Sequence, residues 1–149
     1  MSKRFLLAAG LIIALATASV AFGAVVTNVD FHASFPKDSN ASIAFPVKRV
    51  DGRATEIRRL NVSKFDMNCA KSGSIQYTSD WVTIDTRVKH RHWHYHGVQF
   101  DFQGTFRKHN PNKADGTLEE TLKGINLGRG PETCDGGPRV FHAHAVPSN

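Results

Sequence analysis

From Val26 to Val146 apolar side chains recur at every second residue over short runs, and no run longer than a few residues keeps the 3.6-residue spacing of a helix face. Successive side chains of an extended strand point to opposite faces, so this period marks strands with one buried face. The runs are Val26–Ala33, Ser42–Val47, Glu56–Val62, Phe65–Cys69, Ser74–Thr78, Trp81–Val88, Val98–Phe106, Thr117–Lys123 and Arg139–Val146. Gly, Pro, Asn and Asp bound them, as turn chemistry requires. No helical interval is present to carry a parallel crossover. The expectation is therefore an all-β antiparallel β-sandwich, or a barrel-like sandwich, of about eight strands.

Two features qualify that pattern. Pro46 lacks the N–H that a ladder needs, which points to an edge or a bulge. The polar stretches 108–115 and 124–138 read as surface loops, the second anchored by Cys134.

The first residues are read separately. Lys3 and Arg4 precede an uncharged run from Phe5 to Val20, and small residues follow at Ser19, Ala21 and Gly23. That order is the pattern of a cleavable secretory signal over residues 1–23, leaving one β-domain over 24–149. The run is short for a membrane span, so none is expected after cleavage. The expected location is secreted, periplasmic or cell-surface. In such a compartment the two cysteines, Cys69 and Cys134, are expected to form one disulfide.

Removing Lys3 and Arg4 lowers the formal net charge of +6 to +4. The cations are scattered as Lys48-Arg49, Arg58-Arg59 and Arg107-Lys108 with acids among them, and they read as a solvated basic surface. A clustered stripe, the footprint of a nucleic-acid partner, is absent. Loose attraction to anionic envelope polymers is the partner such a charge allows.

From about Arg53 to Ala145 the chain resembles a loose group of uncharacterised exported bacterial single-disulfide β-domains. The resemblance rests on the stretch ending at Cys69, on Phe102 to Phe106 with Gly104, on Gly116-Thr117-Leu118, on Cys134-Asp135-Gly136-Gly137, and on Phe141-His142-Ala143. It implies a single-disulfide β-sandwich and no activity. The histidines are a departure from that group.

Those histidines are the one constellation with chemical promise. In Lys89-His-Arg-His-Trp-His-Tyr-His96 a regular strand sets His90, His92, His94 and His96 on one side, with Trp93 and Tyr95 on the other. Imidazole is a ligand for zinc, copper and nickel, and His142-Ala143-His144 repeats the spacing. Were the two strands neighbours, His92, His94, His96, His142 and His144 would supply ligands to one ion. Burying unpartnered imidazoles costs about 1–3 kcal/mol each. The favoured arrangement therefore buries Trp93 and Tyr95 and exposes the histidines, with a bulge or turn at Gly97 resetting the alternation. A group of imidazoles also suits pH sensing.

Motifs for a hydrolase elbow, a zinc protease, a phosphate loop or a dinucleotide site do not occur. Glu119 and Glu120 are neighbours and point to opposite faces, which is poor for acid–base work on one bond. Asn40 and Asn61 match the glycan acceptor pattern. The functional expectation is an exported non-enzymatic β-domain, a binding or structural protein without a cofactor. The alternative is a zinc- or copper-binding protein using the His-x-His strands.

Overall fold

The computed structural model describes residues 23–147, so the signal segment expected over 1–23 lies almost wholly outside the described residues. Eleven strands follow in chain order, all paired antiparallel, with no helix among the described residues. They are β1 (Val26–Phe35), β2 (Asp38–Val50), β3 (Arg53–Ser63), β4 (Phe65–Cys69), β5 (Gly73–Tyr77), β6 (Val82–Arg87), β7 (His92–His96), β8 (Phe100–Arg107), β9 (Asn110–Asn126), β10 (Pro131–Asp135) and β11 (Arg139–Val146). The antiparallel all-β class is as expected, with eleven strands where about eight were anticipated.

Both polar stretches expected to be loops are largely strand. Residues 110–115 open β9, and 124–138 contain its end and all of β10. Pairing rather than burial makes them strands. Arg107 faces Asn110 across a tight turn, His144 faces Lys113, and Glu132 faces Ile125.

The 17-residue β9 organises the architecture. Its first part pairs with β8 and β11, and its last part pairs with β10. One layer is thus a curled run in the order β7-β8-β9-β11-β1-β2-β3-β6, and the other is an arm of β10-β4-β5 continuing from the end of β9. The arm packs back on the curled layer, with the Phe65 ring of β4 edge-on to Phe35 of β1 at 5.4 Å. At the free ends of the curl, β6 and β7 touch through Thr86 Oγ1 donating to His94 O at 3.0 Å. No ladder joins them, so the sheet is not closed into a barrel.

The core is aromatic. Phe31, Phe45, Phe102, Phe106 and Phe141 are buried, and Trp93 meets Phe45, Phe102 and Phe106 at centroid spacings of 4.8–5.9 Å. One row explains two glycines. Trp93 faces Gly104, Gly104 faces Gly116, and Gly116 faces Phe141 across four adjacent strands. All four are inward positions, and the two large rings lie over the space the glycines leave. A Cβ on Gly104 would collide with the Trp93 ring, and one on Gly116 with the Phe141 ring.

Cys69 and Cys134 face one another on β4 and β10 and form a disulfide, the bond of an oxidising compartment. Pro46 sits at a break in register between Ala44 and Val47, the bulge its missing N–H demands. Asn61 is half-buried and its amide nitrogen donates to Ser79 O at 2.6 Å, so one of the two amide hydrogens on the nitrogen a glycan would join is already committed.

Candidate functional site

The histidines occupy one face. His32 of β1, His92, His94 and His96 of β7, and His142 and His144 of β11 are all exposed, while their strand neighbours Phe31, Trp93, Phe141 and Ala143 are buried. Gly97 lies in the turn between β7 and β8, closed by Gly97 N–H donating to Phe100 O at 2.8 Å. Trp93 is buried and Tyr95 half-buried, so the expected sidedness of the run is what the structure shows.

Two details differ from the expectation. The histidine run does not continue into Val98; the chain turns back, and Val98 is 90% exposed at the hairpin tip. His90 leaves the strand altogether. His90 and Arg91 take φ values of 49° and 74°, forming a two-residue turn locked by reciprocal Lys89–His92 backbone bonds of 2.9 Å. Left-handed φ at both central positions is the geometry of tight hairpins, and it matches the strand twist.

The hairpin brings in a residue that the His-x-His spacing does not contain. Asp101 on β8 lies opposite His96. Its carboxylate is 2.8 Å from His96 Nδ1 and 3.2 Å from His94 Nε2. One ligand atom from each of His94, His96 and Asp101 lies within 4.8 Å of the others. Partial burial pushes the Asp101 carboxyl up, but the hydrogen bonds with His96 and His94 outweigh it and hold it below its ordinary range. A carboxylate so held is ionised and ready to act as a ligand.

A second cluster spans β8, β9 and β11 on the same face. Arg107 grips Asp115 of β9 with two bonds of 2.7 and 2.8 Å, and His142 Nδ1 is 2.7 Å from the same carboxylate. Chiefly through the Arg107 bond, Asp115 is pulled down to about 2. His92 pairs instead with Thr105, its Nδ1 2.7 Å from Oγ1. His144 stands opposite His32 on β1 and Lys113 on β9.

These positions decide which expected ligands meet. His94 and His96 converge, with Asp101 as third member. His142 and His144 do not join them, because β8 and β9 separate β7 from β11, and His92, although on β7 itself, engages Thr105 instead. Three strand spacings amount to about 14 Å, far beyond the reach of one ion. The single five-histidine site expected for neighbouring strands is therefore not formed. A further triad of Cys69, Cys134 and Glu132 is no metal centre, since the two sulfurs are bonded to each other. Glu132 instead caps the β4–β5 turn, accepting from Lys71 N at 2.7 Å and Ser72 N at 2.9 Å.

Chemically, the His94–Asp101–His96 group offers two imidazole nitrogens and one carboxylate oxygen on a hairpin. Three ligands at about 2.1 Å from a tetrahedral ion stand roughly 3.4 Å apart, so modest side-chain rotations would close this group on zinc and leave a position open. The face also carries hydrogen-bonding groups outward in regular rows, which suits binding of an extended polar surface.

Fold and site together define a single-disulfide, all-antiparallel β-domain with a polar histidine face. Comparison with family models, with characterised proteins and with solved structures finds no match to this chain.

Proposed function

We propose that this chain is an exported, non-enzymatic binding domain of the cell envelope or extracellular space, and that the histidine face is its working surface. The observation carrying this reading is that all six strand histidines stand outward on one face, with Asp101 and Asp115 set among them. The fold does not need imidazoles there; any soluble polar residue would satisfy an outward strand position. The disulfide and the signal-like start support export. No helix among the described residues is long and apolar enough to cross a membrane. To test the surface, wild-type protein and a His92→Ala/His142→Ala variant are sedimented with envelope fragments of the host. Equal recovery of both would overturn the assignment.

A second reading, that the ligand is a zinc or copper ion, is favoured by the His94–Asp101–His96 group. Such an ion would be held by three side chains and remain accessible, as suits capture and release more than a closed structural centre. Protein purified without an affinity tag, stripped with chelator and titrated with zinc or copper, is expected to take up one ion per chain. His96→Ala or Asp101→Asn should abolish the uptake, and His144→Ala should not. Uptake that survives the loss of Asp101 would refute this site.

A further inference from the structure

Arg49 is the inward residue at the end of β2, continuing the buried alternation Ala41, Ile43, Phe45, Val47, and it is only 9% exposed. Its guanidinium lies 5.5 Å over the Phe31 ring. Nη1 donates to Asn112 Oδ1 at 3.0 Å and Nη2 to Pro111 O at 2.7 Å, both neutral acceptors. The Nε–H is buried with no partner, and no carboxylate of the described residues pairs with the group. Burial alone pushes its pKa below the ordinary arginine value. A buried cation without a counter-charge is unfavourable unless something else supplies the anion.

The surroundings of Arg49 show where that anion would sit. Arg49 lines a cavity of about 390 Å³ at one end of the curled sheet, between the β2–β3, β6–β7 and β8–β9 turns. Arg53, Arg91 and Lys108 line it too, with no Asp or Glu among the lining residues. Arg91 is placed by the His90-Arg91 turn and anchored by Nη1 donating to Phe106 O at 3.2 Å. Arg107 also contributes, although its fork is held by Asp115. Ala54, Phe106 and Pro111 give the cavity an apolar wall.

We propose that this cavity binds a phosphate group carried on a small ester, with Arg49 at its base and Arg53, Arg91 and Lys108 around its mouth. Guanidinium forks match the oxygens of phosphate in pairs, and Arg49, whose Nη1 and Nη2 bond only neutral acceptors, brings an uncompensated positive charge to the cavity. A single carboxylate would neutralise one of these cations; a phosphate dianion serves several at once. The volume falls in the range of about 300–1,000 Å³ of small-molecule sites, and the apolar wall suits the body of the ester. The site is separate from the histidine face and goes beyond the binding reading given for it.

Untagged protein purified from its host is titrated calorimetrically with inorganic phosphate, with glycerol phosphate and with phosphatidylglycerol vesicles at low ionic strength. Nitrogen–proton correlation spectra follow the Arg49 Nε–H in parallel. Saturable binding is expected, with a shift of that resonance that chloride at equal ionic strength does not produce. Arg49→Gln should weaken binding at least about tenfold, and Arg91→Gln, an exposed turn residue, should weaken it severalfold with the fold intact. Tighter binding of vesicles than of glycerol phosphate would assign the group to a lipid headgroup, and the reverse to a soluble ester. Absence of saturable binding to all three probes would overturn the proposal, as would affinity unchanged by Arg91→Gln with no shift at Arg49. Asp101→Asn should leave phosphate binding intact, so failure here and failure of the histidine-face reading are told apart.

Discussion

Glu120 should make this domain lose stability as pH rises from 5 to 8, and replacing it with glutamine should remove the loss. The residue sits on β9 where the strand passes from β8 to β10, and it is fully buried. Oε1 accepts one bond, from Gln99 Nε2 at 2.9 Å, and Oε2 has no partner. The same Gln99 nitrogen donates to Tyr77 Oη at 2.9 Å, so the carboxyl shares its only donor. Burial pushes the pKa up from 4.5 to about 7, with the Gln99 bond acting weakly against it. The folded state therefore holds this proton more tightly than the unfolded chain does. The resulting stability is fully present below the unfolded value near 4.5 and is lost as pH rises through about 7. A difference of roughly 2.5 pH units corresponds to about 3 kcal/mol.

Glu120→Gln keeps the shape of the neutral acid and an oxygen for Gln99, and it cannot ionise. Urea unfolding followed by fluorescence of the buried Trp93 is run on both proteins at pH 5, 6, 7 and 8. The quantity of interest is the fall in stability of wild type between pH 5 and 8 minus the same fall in the variant, which cancels every other titrating group. It should be about 2.5 kcal/mol, since the unfolded carboxyl is already largely ionised at pH 5, and this corresponds to a change in midpoint separation on the order of 1–2 M urea. A double difference under about 1 kcal/mol, or one of opposite sign, would refute a buried carboxyl stranded with one shared donor.

Two further perturbations test the frame around the sites. The Cys69–Cys134 bridge has a sequence separation of 65, and its removal in a Cys69→Ala/Cys134→Ala variant should cost about 4 kcal/mol on the chain-entropy model, checked by denaturant midpoint. Gly104→Ala pushes a methyl group into the Trp93 ring and to within 2.7 Å of the Asp115 carbonyl oxygen, which cannot swing aside. It should cost about 1–3 kcal/mol and change the Trp93 emission, and an unchanged midpoint would mean the aromatic–glycine row is looser than drawn.

Alternation made most of the inward faces legible, because where one side of a strand is buried the two-residue period is enforced by burial itself. Phe31 and Ala33, Phe65 and Met67, and Phe141 and Ala143 all fall inward as that period requires. β9 escaped because its opening residues, Asn110 to Lys113, are exposed and polar. Their strand conformation comes from hydrogen bonds to β8 and β11, which leave no trace in hydropathy. The same limit hid the third member of the histidine group. Asp101 meets His96 only because residues 97–99 reverse the chain, and a continuous strand through Gly97 would have carried it away.

Arg49 shows the opposite case, a signal that was present and outweighed. The expectation of a solvated basic surface placed it outside with Lys48, since cations are rarely buried without a partner. Yet it stands two residues beyond Val47 on the same parity as Ala41, Ile43 and Phe45, and the pleat carries it inward. Charge argued for solvent, geometry argued for the core, and geometry prevailed. At the end of a strand an arginine can satisfy both, because its guanidinium packs over Phe31 and still lines the cavity that opens there. A core-parity cation at a strand terminus is thus readable from sequence as a marker of the open end of a curled sheet. Here that end is also where Arg53, Arg91 and Lys108 collect, from turns far apart in the chain, around a charge that no carboxylate of the described residues pairs with.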